Sequence, residues 1–321
     1  MDSPPIPGML AAQLTPVAAQ ALLKAALAQL NEIIVGKPGT VSLVVAALLA
    51  GGHVLLEDLP GVGKTTLAHA LASTFSLQFQ RVQFTSDLLP SDLVGVSVFR
   101  RESERFDFIP GPLFTELLLA DELNRGSPKT QSALLEAMAE AQITADGQTR
   151  ALPDPFFVIA TQNPLEQVGT FALPESQLDR FMLTLQMGYP DAAAERALLQ
   201  GEDRKKLIAR VKPCISTEQL LAIKALVEKV KASSALLDYL QRLLRASREH
   251  PSIRFGLSPR AGLALLKITR SVALLAGRDY AIPEDVQQVF VALTAHRLSL
   301  NDSATSARAV ARAVLEQVSV V

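Results

Sequence analysis

Cysteine is almost absent. One residue, Cys214, stands among 321, which excludes an internal disulfide and fits a reducing compartment. No histidine is near it in sequence, so a buried or half-buried thiol is expected there, not a nucleophile. The four histidines, His53, His69, His250 and His296, lack the spacing of a metal site, and each is expected to be structural or on the surface. An excess of charge is missing too: the formal net charge is -1, so no global field draws the chain to nucleic acid or an anionic membrane. No long apolar run occurs. The longest, residues 41–50, contains Ser42, stops at Gly51-Gly52 and falls well short of the ~20 residues a bilayer requires. The opening Met1-Asp2-Ser3-Pro4-Pro5 has neither a basic region nor a small-residue cleavage site, which argues against a secretory signal. A soluble, cytoplasmic protein is the expectation.

What is present is enough apolar matter for a substantial core. The hydrophobic fraction is 49% and the charged fraction 20%, values that argue against disorder over most of the chain. At roughly 150 residues per domain, two domains are expected. Residues 1–16 are Pro-rich and read as a flexible N-terminus. A helix is expected over about 17–31 and a second one up to Gly51. His53-Val54-Leu55-Leu56-Glu57 reads as a buried strand, followed by a Gly-rich turn and a helix from about Lys64. Residues 116–120 and 156–160 have the brevity of parallel strands, with 181–185 a fourth candidate. Two hairpins interrupt this α/β pattern: 96–99 with 106–108, and 143–145 with 148–150 around Asp146-Gly147. At Tyr189-Pro190 the pattern turns to helical periodicity without a convincing strand. An α/β nucleotide-binding domain over 17–190 and an all-helical domain over 191–321 are therefore expected.

The decisive segment is Glu57-Asp58-Leu59-Pro60-Gly61-Val62-Gly63-Lys64-Thr65-Thr66. Gly61 and Gly63 can take positive φ and turn backbone N–H groups inward around phosphate oxygens. Lys64 supplies a point charge for β and γ phosphates, and Thr65 offers a hydroxyl to Mg²⁺ at a helix N-terminus. Pro60, Val62 and Thr66 complete the phosphate-binding stretch. Asp58 stands where the G-x-x-x-x-G-K-T pattern has its first glycine; it tolerates left-handed geometry and can bond its own loop.

Leu117-Leu118-Leu119-Ala120-Asp121-Glu122 is an apolar strand ending in two acids, at the strand edge that faces a ligand crevice. Asp121 is expected to hold Mg²⁺ through water and Glu122 to orient the attacking water, since phosphoryl transfer asks mainly for positioning and charge neutralisation. A third strand runs into Thr161-Gln162-Asn163-Pro164, where an amide can reach the γ phosphate or the water; Asn163 is preferred, with Gln162 read as a loop-stabilising amide. Arg180 suits either a finger on a neighbouring subunit's γ phosphate or a local ion pair with Asp179 or Glu175. Arg260 follows Ser258 and Pro259 at a helix start, where a cation opposes the helix dipole and an anionic partner would account for it.

Taken together these blocks resemble the MoxR family of AAA+ ATPases. The resemblance adds Gln83-Phe84-Thr85-Ser86-Asp87-Leu88-Leu89-Pro90-Ser91-Asp92, Gly111-Pro112-Leu113-Phe114, Leu123-Asn124-Arg125, and Pro174-Glu175-Ser176-Gln177-Leu178-Asp179-Arg180-Phe181, and spans nearly the whole chain. It implies a P-loop NTPase of the AAA+ kind: a parallel sheet flanked by helices, with hairpin insertions facing a ring axis, then a helical lid. It further implies a ring of six subunits, using ATP and Mg²⁺, with Asn163 as first sensor, Arg180 as arginine finger and Arg260 as second sensor. The family's chaperone-like remodelling of protein complexes implies a separate partner with a von Willebrand factor A domain. Two other readings compete. A ring motor on DNA is poorly served by the hairpin over 142–150, which has one Arg, one Asp, no Lys and no aromatic residue. In a nucleotide-gated scaffold, binding rather than turnover would set the active state.

Overall fold

The computed structural model describes residues 14–102, 104–164, 168–302 and 304–320. Most of the expected flexible N-terminus, residues 1–13, lies outside the described residues. Helix α1 (Pro16–Ile33) begins where the Thr15 hydroxyl accepts the Ala18 N–H at 3.2 Å, with Pro16 in the first helical turn. It buries one stripe, Ala19, Leu23, Ala26, Leu30 and Ile33, at helical spacing. Helix α2 (Pro38–Leu49) buries every residue from Val44 to Leu49.

The chain then alternates: β1 (Val54–Glu57), α3 (Lys64–Thr74), β2 (Phe79–Gln83), α4 (Pro90–Val94), a hairpin of β3 (Gly95–Arg100) and β4 (Arg105–Pro110), and β5 (Leu117–Asp121). Helix α5 (Pro128–Glu140), a second hairpin of β6 (Gln142–Ala145) and β7 (Gln148–Ala151), β8 (Phe157–Gln162), α6 (Glu175–Leu178) and β9 (Leu183–Leu185) follow. Beyond them come α7 (Ala192–Gln200), α8 (Arg204–Arg210), α9 (Thr217–Lys229), α10 (Ser234–Glu249), β10 (Ile253–Phe255), α11 (Pro259–Leu275), α12 (Pro283–Thr294), β11 (Ser299–Leu300) and α13 (Ala307–Gln317).

Five strands make one parallel sheet in the order β2-β5-β8-β1-β9. Its pleat sorts side chains between two layers. Leu117, Leu119, Phe157, Ile159, Val54 and Leu56 face the cluster built with α1 to α3, whereas Leu118, Ala120, Val158, Ala160 and Leu55 face the one built with α5. All four strands read from the sequence are present. The fifth, β2, was not expected: Phe79-Gln80-Arg81-Val82-Gln83 is an edge strand with no fully buried residue, so it lacks the apolar run that marks its neighbours. Both hairpins form, and Asp146 and Gly147 take φ of 54° and 73°, as a two-residue hairpin turn requires.

The C-terminal part is helical as expected, with one correction. Strands β10 and β11 pair there antiparallel through Ile253 and Leu300. They are too short for periodicity to reveal. Residues 186–191 carry neither helix nor strand, yet the larger apolar cluster is continuous across them, joining α2 and β1 to Leu265 and Ile268 of α11 and to Phe290 of α12. Among the described residues no helix is long and apolar enough to cross a membrane.

A second link is polar. Arg297, its side chain only 5% exposed, pairs with Asp179 at 2.7 Å. It also donates to the carbonyls of Phe181 at 2.7 Å, Met182 at 3.1 Å and Asp179 at 3.2 Å, and to Leu293. One side chain from the helical part thus organises the stretch that enters β9. His296 beside it is neutral, its pKa pushed down to about 3 by burial and by Arg297. Arg297→Ala takes this donor from Asp179 and from the carbonyls, of which Phe181 keeps His296 at 3.0 Å, and removing one partner of a buried pair costs about 3 kcal/mol. Urea unfolding is expected to show that loss, with Arg297→Lys recovering only part of it because an ammonium cannot span the same acceptors. A loss below about 1 kcal/mol, the worth of an exposed pair, would deny Arg297 this role.

Candidate functional site

The loop between β1 and α3 forms the floor of a cleft. Gly61 and Gly63 take φ of 83° and 97°, a region that L side chains avoid, and a Cβ at Gly61 would meet nothing within 4 Å. The loop is therefore open on the side where an anion would rest. Lys64 opens α3, with Gly63 as its cap. Its ammonium is folded back onto its own loop, donating to the carbonyls of Asp58 at 2.7 Å and Leu59 at 3.1 Å. Burial pulls its pKa down, against the opposing pull of Asp58, Asp121 and Glu122.

Asp58 does something the sequence did not disclose. It is absent from the positive-φ residues, and its carboxylate does not turn to its own loop. It accepts the N–H groups of Met187 and Gly188, the latter at 3.0 Å, while its own N–H donates to Gln162 at 3.1 Å. The residue in the first-glycine position thus ties the phosphate loop to the exit of β9.

The cleft, about 350 Å³, is lined on one side by Pro60, Gly61, Gly63, Lys64, Thr65 and Thr66. Opposite are Asp121, Glu122, Thr161, Asn163 and Arg81. Neighbouring strands β5 and β8 bring their ends together there. The Thr161 hydroxyl donates to Asp121 Oδ1 at 2.6 Å and accepts the Glu122 N–H at 2.9 Å. Arg81 donates to Asp121 Oδ2 at 2.6 Å. Glu122 takes φ of 54°, uncommon for a side chain of its size, and its carboxylate meets Arg125 at 3.2 Å.

Of the two amides weighed in the sequence, Asn163 lines the cleft, whereas Gln162 donates to Glu57 at 2.7 Å and braces adjacent strands. Val62 lies on the other side of the loop and lines a second cavity. Thr161 and Arg81 are the members that sequence reasoning missed. Both are strand residues, and only the sheet order shows that they meet Asp121.

Among the described residues no group of three or more His, Cys, Asp or Glu is arranged for a metal. One carboxylate and one hydroxyl, Asp121 and Thr65, nevertheless face the same cleft. Such a sparse set of hard oxygen donors fits Mg²⁺, which keeps waters and takes phosphate oxygens for the rest of its shell.

Arg180 and Arg260 do not line this cleft. They share a different cavity, of about 220 Å³, with Asp179, Arg297, His53 and Gly52. Among the described residues no ion pair joins Arg180 to Asp179 or to Glu175, and Asp179 is engaged by Arg297. Arg260, on the first turn of α11, is exposed. His53 in the same wall is structural, as expected. Its Nδ1 accepts the Val158 N–H at 3.1 Å, so Nε2 carries the proton given to Met138 at 3.2 Å, and burial holds its pKa down at about 4.

The second cavity, of about 420 Å³, lies on the far side of the phosphate loop and shares Gly61, Gly63 and Thr66 with the cleft. Ile33, Ile34, Val35, Val62, Met187 and Leu198 give it apolar walls, with Tyr189, Lys37 and Glu195 at the edges. A flat apolar group attached to a chain of phosphates fits the pair of spaces. Ile33-Ile34-Val35 reads in the sequence only as a connection between helices; its signal is an apolar run with no strand or helix to belong to.

The model of the ATPase family associated with various cellular activities matches residues 53–183, and that of the AAA lid domain matches 245–318. The chain is 45% identical to an uncharacterized protein, YeaC, of Bacillus subtilis, over 93% of this chain and 95% of that one. It is 40% identical to Chaperone MoxR1 of Mycobacterium tuberculosis, over 87% and 76%. A crystal structure from Cytophaga hutchinsonii, of a protein presumed to be an ATPase, superposes with a TM-score of 0.87 at 34% identity, covering 98% of this chain and 99% of that one.

Asp58→Ala removes the acceptor of two backbone N–H groups, one of them buried, at a cost of about 2 kcal/mol. The expected result is a lower thermal midpoint, recovered by saturating ATP if the loop still closes on phosphate. An unchanged midpoint would show that the tie to β9 carries no stability.

Proposed function

The chain belongs to the MoxR family of AAA+ ATPases, and from that premise we infer that it binds and hydrolyses Mg·ATP as a ring, turning the cleavage into remodelling of a protein complex. Residues 17–190 act as the nucleotide-binding domain and 191–321 as the lid. The observation that carries the reading is the convergence of Lys64, Thr65, Asp121, Glu122 and Asn163 on one cleft, beside an apolar slot that suits a purine.

The backbone N–H groups of residues 61–65 take the β and γ phosphates, and Lys64 exchanges two neutral carbonyls for them. Thr65 and Asp121 are the residues to hold magnesium, which when bound neutralises phosphate charge. Glu122 polarises the attacking water, and Asn163 holds the γ phosphate or that water in line. Neither Arg180 nor Arg260 lines the cleft of its own chain, which supports their delivery to a neighbour's nucleotide and hence a ring, with six subunits as the family resemblance implies.

A protein client is favoured over DNA by the two hairpins. Arg150, the one arginine of the second, is packed over the Phe108 ring at 3.8 Å and bonded to Ala145, while Asp146 accepts from Ser97 of the first. The first hairpin instead exposes Val98, Phe99 and Phe106, a surface suited to polypeptide. A separate protein with a von Willebrand factor A domain is the partner that the resemblance suggests.

Glu122→Gln is expected to lower steady-state hydrolysis by at least ~100-fold while ATP affinity stays within a few-fold. Turnover unchanged by this substitution would remove Glu122 from its assigned role, whereas a parent that binds ATP with negligible turnover would favour the gated-scaffold reading. Lys64→Ala and Arg180→Ala are each expected to be inactive as pure proteins. Mixed together they should regain activity, because a Lys64→Ala subunit can lend its Arg180 to an intact neighbour. Absence of that recovery, with mixed rings verified by cross-linking, would place Arg180 outside trans catalysis.

A further inference from the structure

Arg81 reaches the phosphate cleft from β2, and nothing in the proposed reaction uses it. Its guanidinium lies 2.6 Å from Asp121 Oδ2, while Thr161 already occupies Oδ1. Both oxygens of the carboxylate assigned to magnesium are therefore engaged. The same nitrogen of Arg81 also meets Gln83 Oε1 at 3.1 Å. Lys64, the other cation of the cleft, is turned to the carbonyls of Asp58 and Leu59 and does not neutralise Asp121 by contact.

The two partners differ in freedom. The Asp121 side chain is 12% exposed and fixed by Thr161, whereas that of Arg81 is 47% exposed on an edge strand with no neighbour beyond it. The acid stays and the arginine can leave. We propose that Arg81 is the resting counter-charge of the magnesium site: it holds Asp121 in the metal-free protein and must release it when the metal enters. A water bound to the dication and the Arg81 guanidinium compete for that oxygen, and with both in place two like charges would stand one water apart. Arg81 therefore raises the magnesium concentration needed for tight nucleotide binding, and prevents an uncompensated carboxylate from facing an incoming triphosphate. The inference rests on the assignment of Thr65 and Asp121 to magnesium.

The test reads binding, not turnover. In a Glu122→Gln background, N-methylanthraniloyl-ATP is held at a fixed subsaturating concentration and magnesium chloride is titrated while fluorescence is recorded. Arg81→Gln is expected to lower the magnesium midpoint about three- to fivefold, the worth of a half-exposed charge pair. Arg81→Lys keeps the charge, and its midpoint should stay within about twofold of the parent. A midpoint that is unchanged or raised in Arg81→Gln would overturn the proposal, a raised one showing that Arg81 serves the phosphates. Weaker binding at every magnesium concentration with a fixed midpoint marks a merely structural residue, which also overturns it. If the parent itself shows no magnesium dependence, the assignment of Thr65 and Asp121 falls, and the proposal with it.

Discussion

One hydroxyl holds the cleft edge of this sheet in order. Thr161, at the end of β8, gives its proton to Asp121 and receives the N–H of Glu122, so a single side chain joins the ends of two adjacent strands. The bond matters because β5 leaves the sheet abruptly. Glu122 adopts a left-handed backbone, and the 3₁₀ turn Leu123–Arg125 starts at once. Such a conformation costs of order 1–3 kcal/mol and persists only where its surroundings over-determine it. With that bend, Asp121 stays nearly buried at the cleft while Glu122 projects beyond it toward Arg125. Two successive acids, which would point to opposite faces of a regular strand, are thereby placed in one space.

Loop, sheet and helical part are coupled through this edge. Asp58 binds the phosphate loop to residues 187–188, which lead from β9 toward α7. The apolar slot has one wall from residues 33–35 and another from Leu198, so a base held there touches chain on both sides of Pro190. Arg297 fastens the entry to β9 from the helical side. Asp179 and Phe181, on either side of Arg180, are both bonded to Arg297, so the position of Arg180 is set from the helical side.

Much of this was legible because it depends on neighbours in sequence. The strands β1, β5 and β8 are short apolar runs, and the phosphate loop is a local pattern whose glycines and lysine act within a few residues. Asp121 and Glu122 declare themselves by ending an apolar strand. What stayed hidden depends on strand order. Arg81 and Thr161 look like ordinary strand residues until β2-β5-β8 adjacency sets them beside Asp121. β2 itself was missed because an edge strand need not be apolar, and the Asp58 contact spans 129 residues. The apolar slot escaped for a related reason: its walls come from three separate stretches, of which only the phosphate loop has a motif.

The division of charge between the two polar cavities bears on assembly. In the phosphate cleft Lys64 and Arg81 face Asp121 and Glu122, so without nucleotide the space is close to balanced. In the other cavity the one acid, Asp179, is engaged by Arg297, and among the described residues Arg180 and Arg260 have no counter-charge in contact. A triphosphate makes the first space strongly anionic and gives the second something to meet. In the proposed ring a contact joining these patches would link different surfaces of one chain, head-to-tail, and such contacts generate rings when the rotation closes. On the reading proposed here, nucleotide is both fuel and adhesive. Linkage then requires that whatever tightens the ring also tightens ATP, because the same phosphate charge serves both.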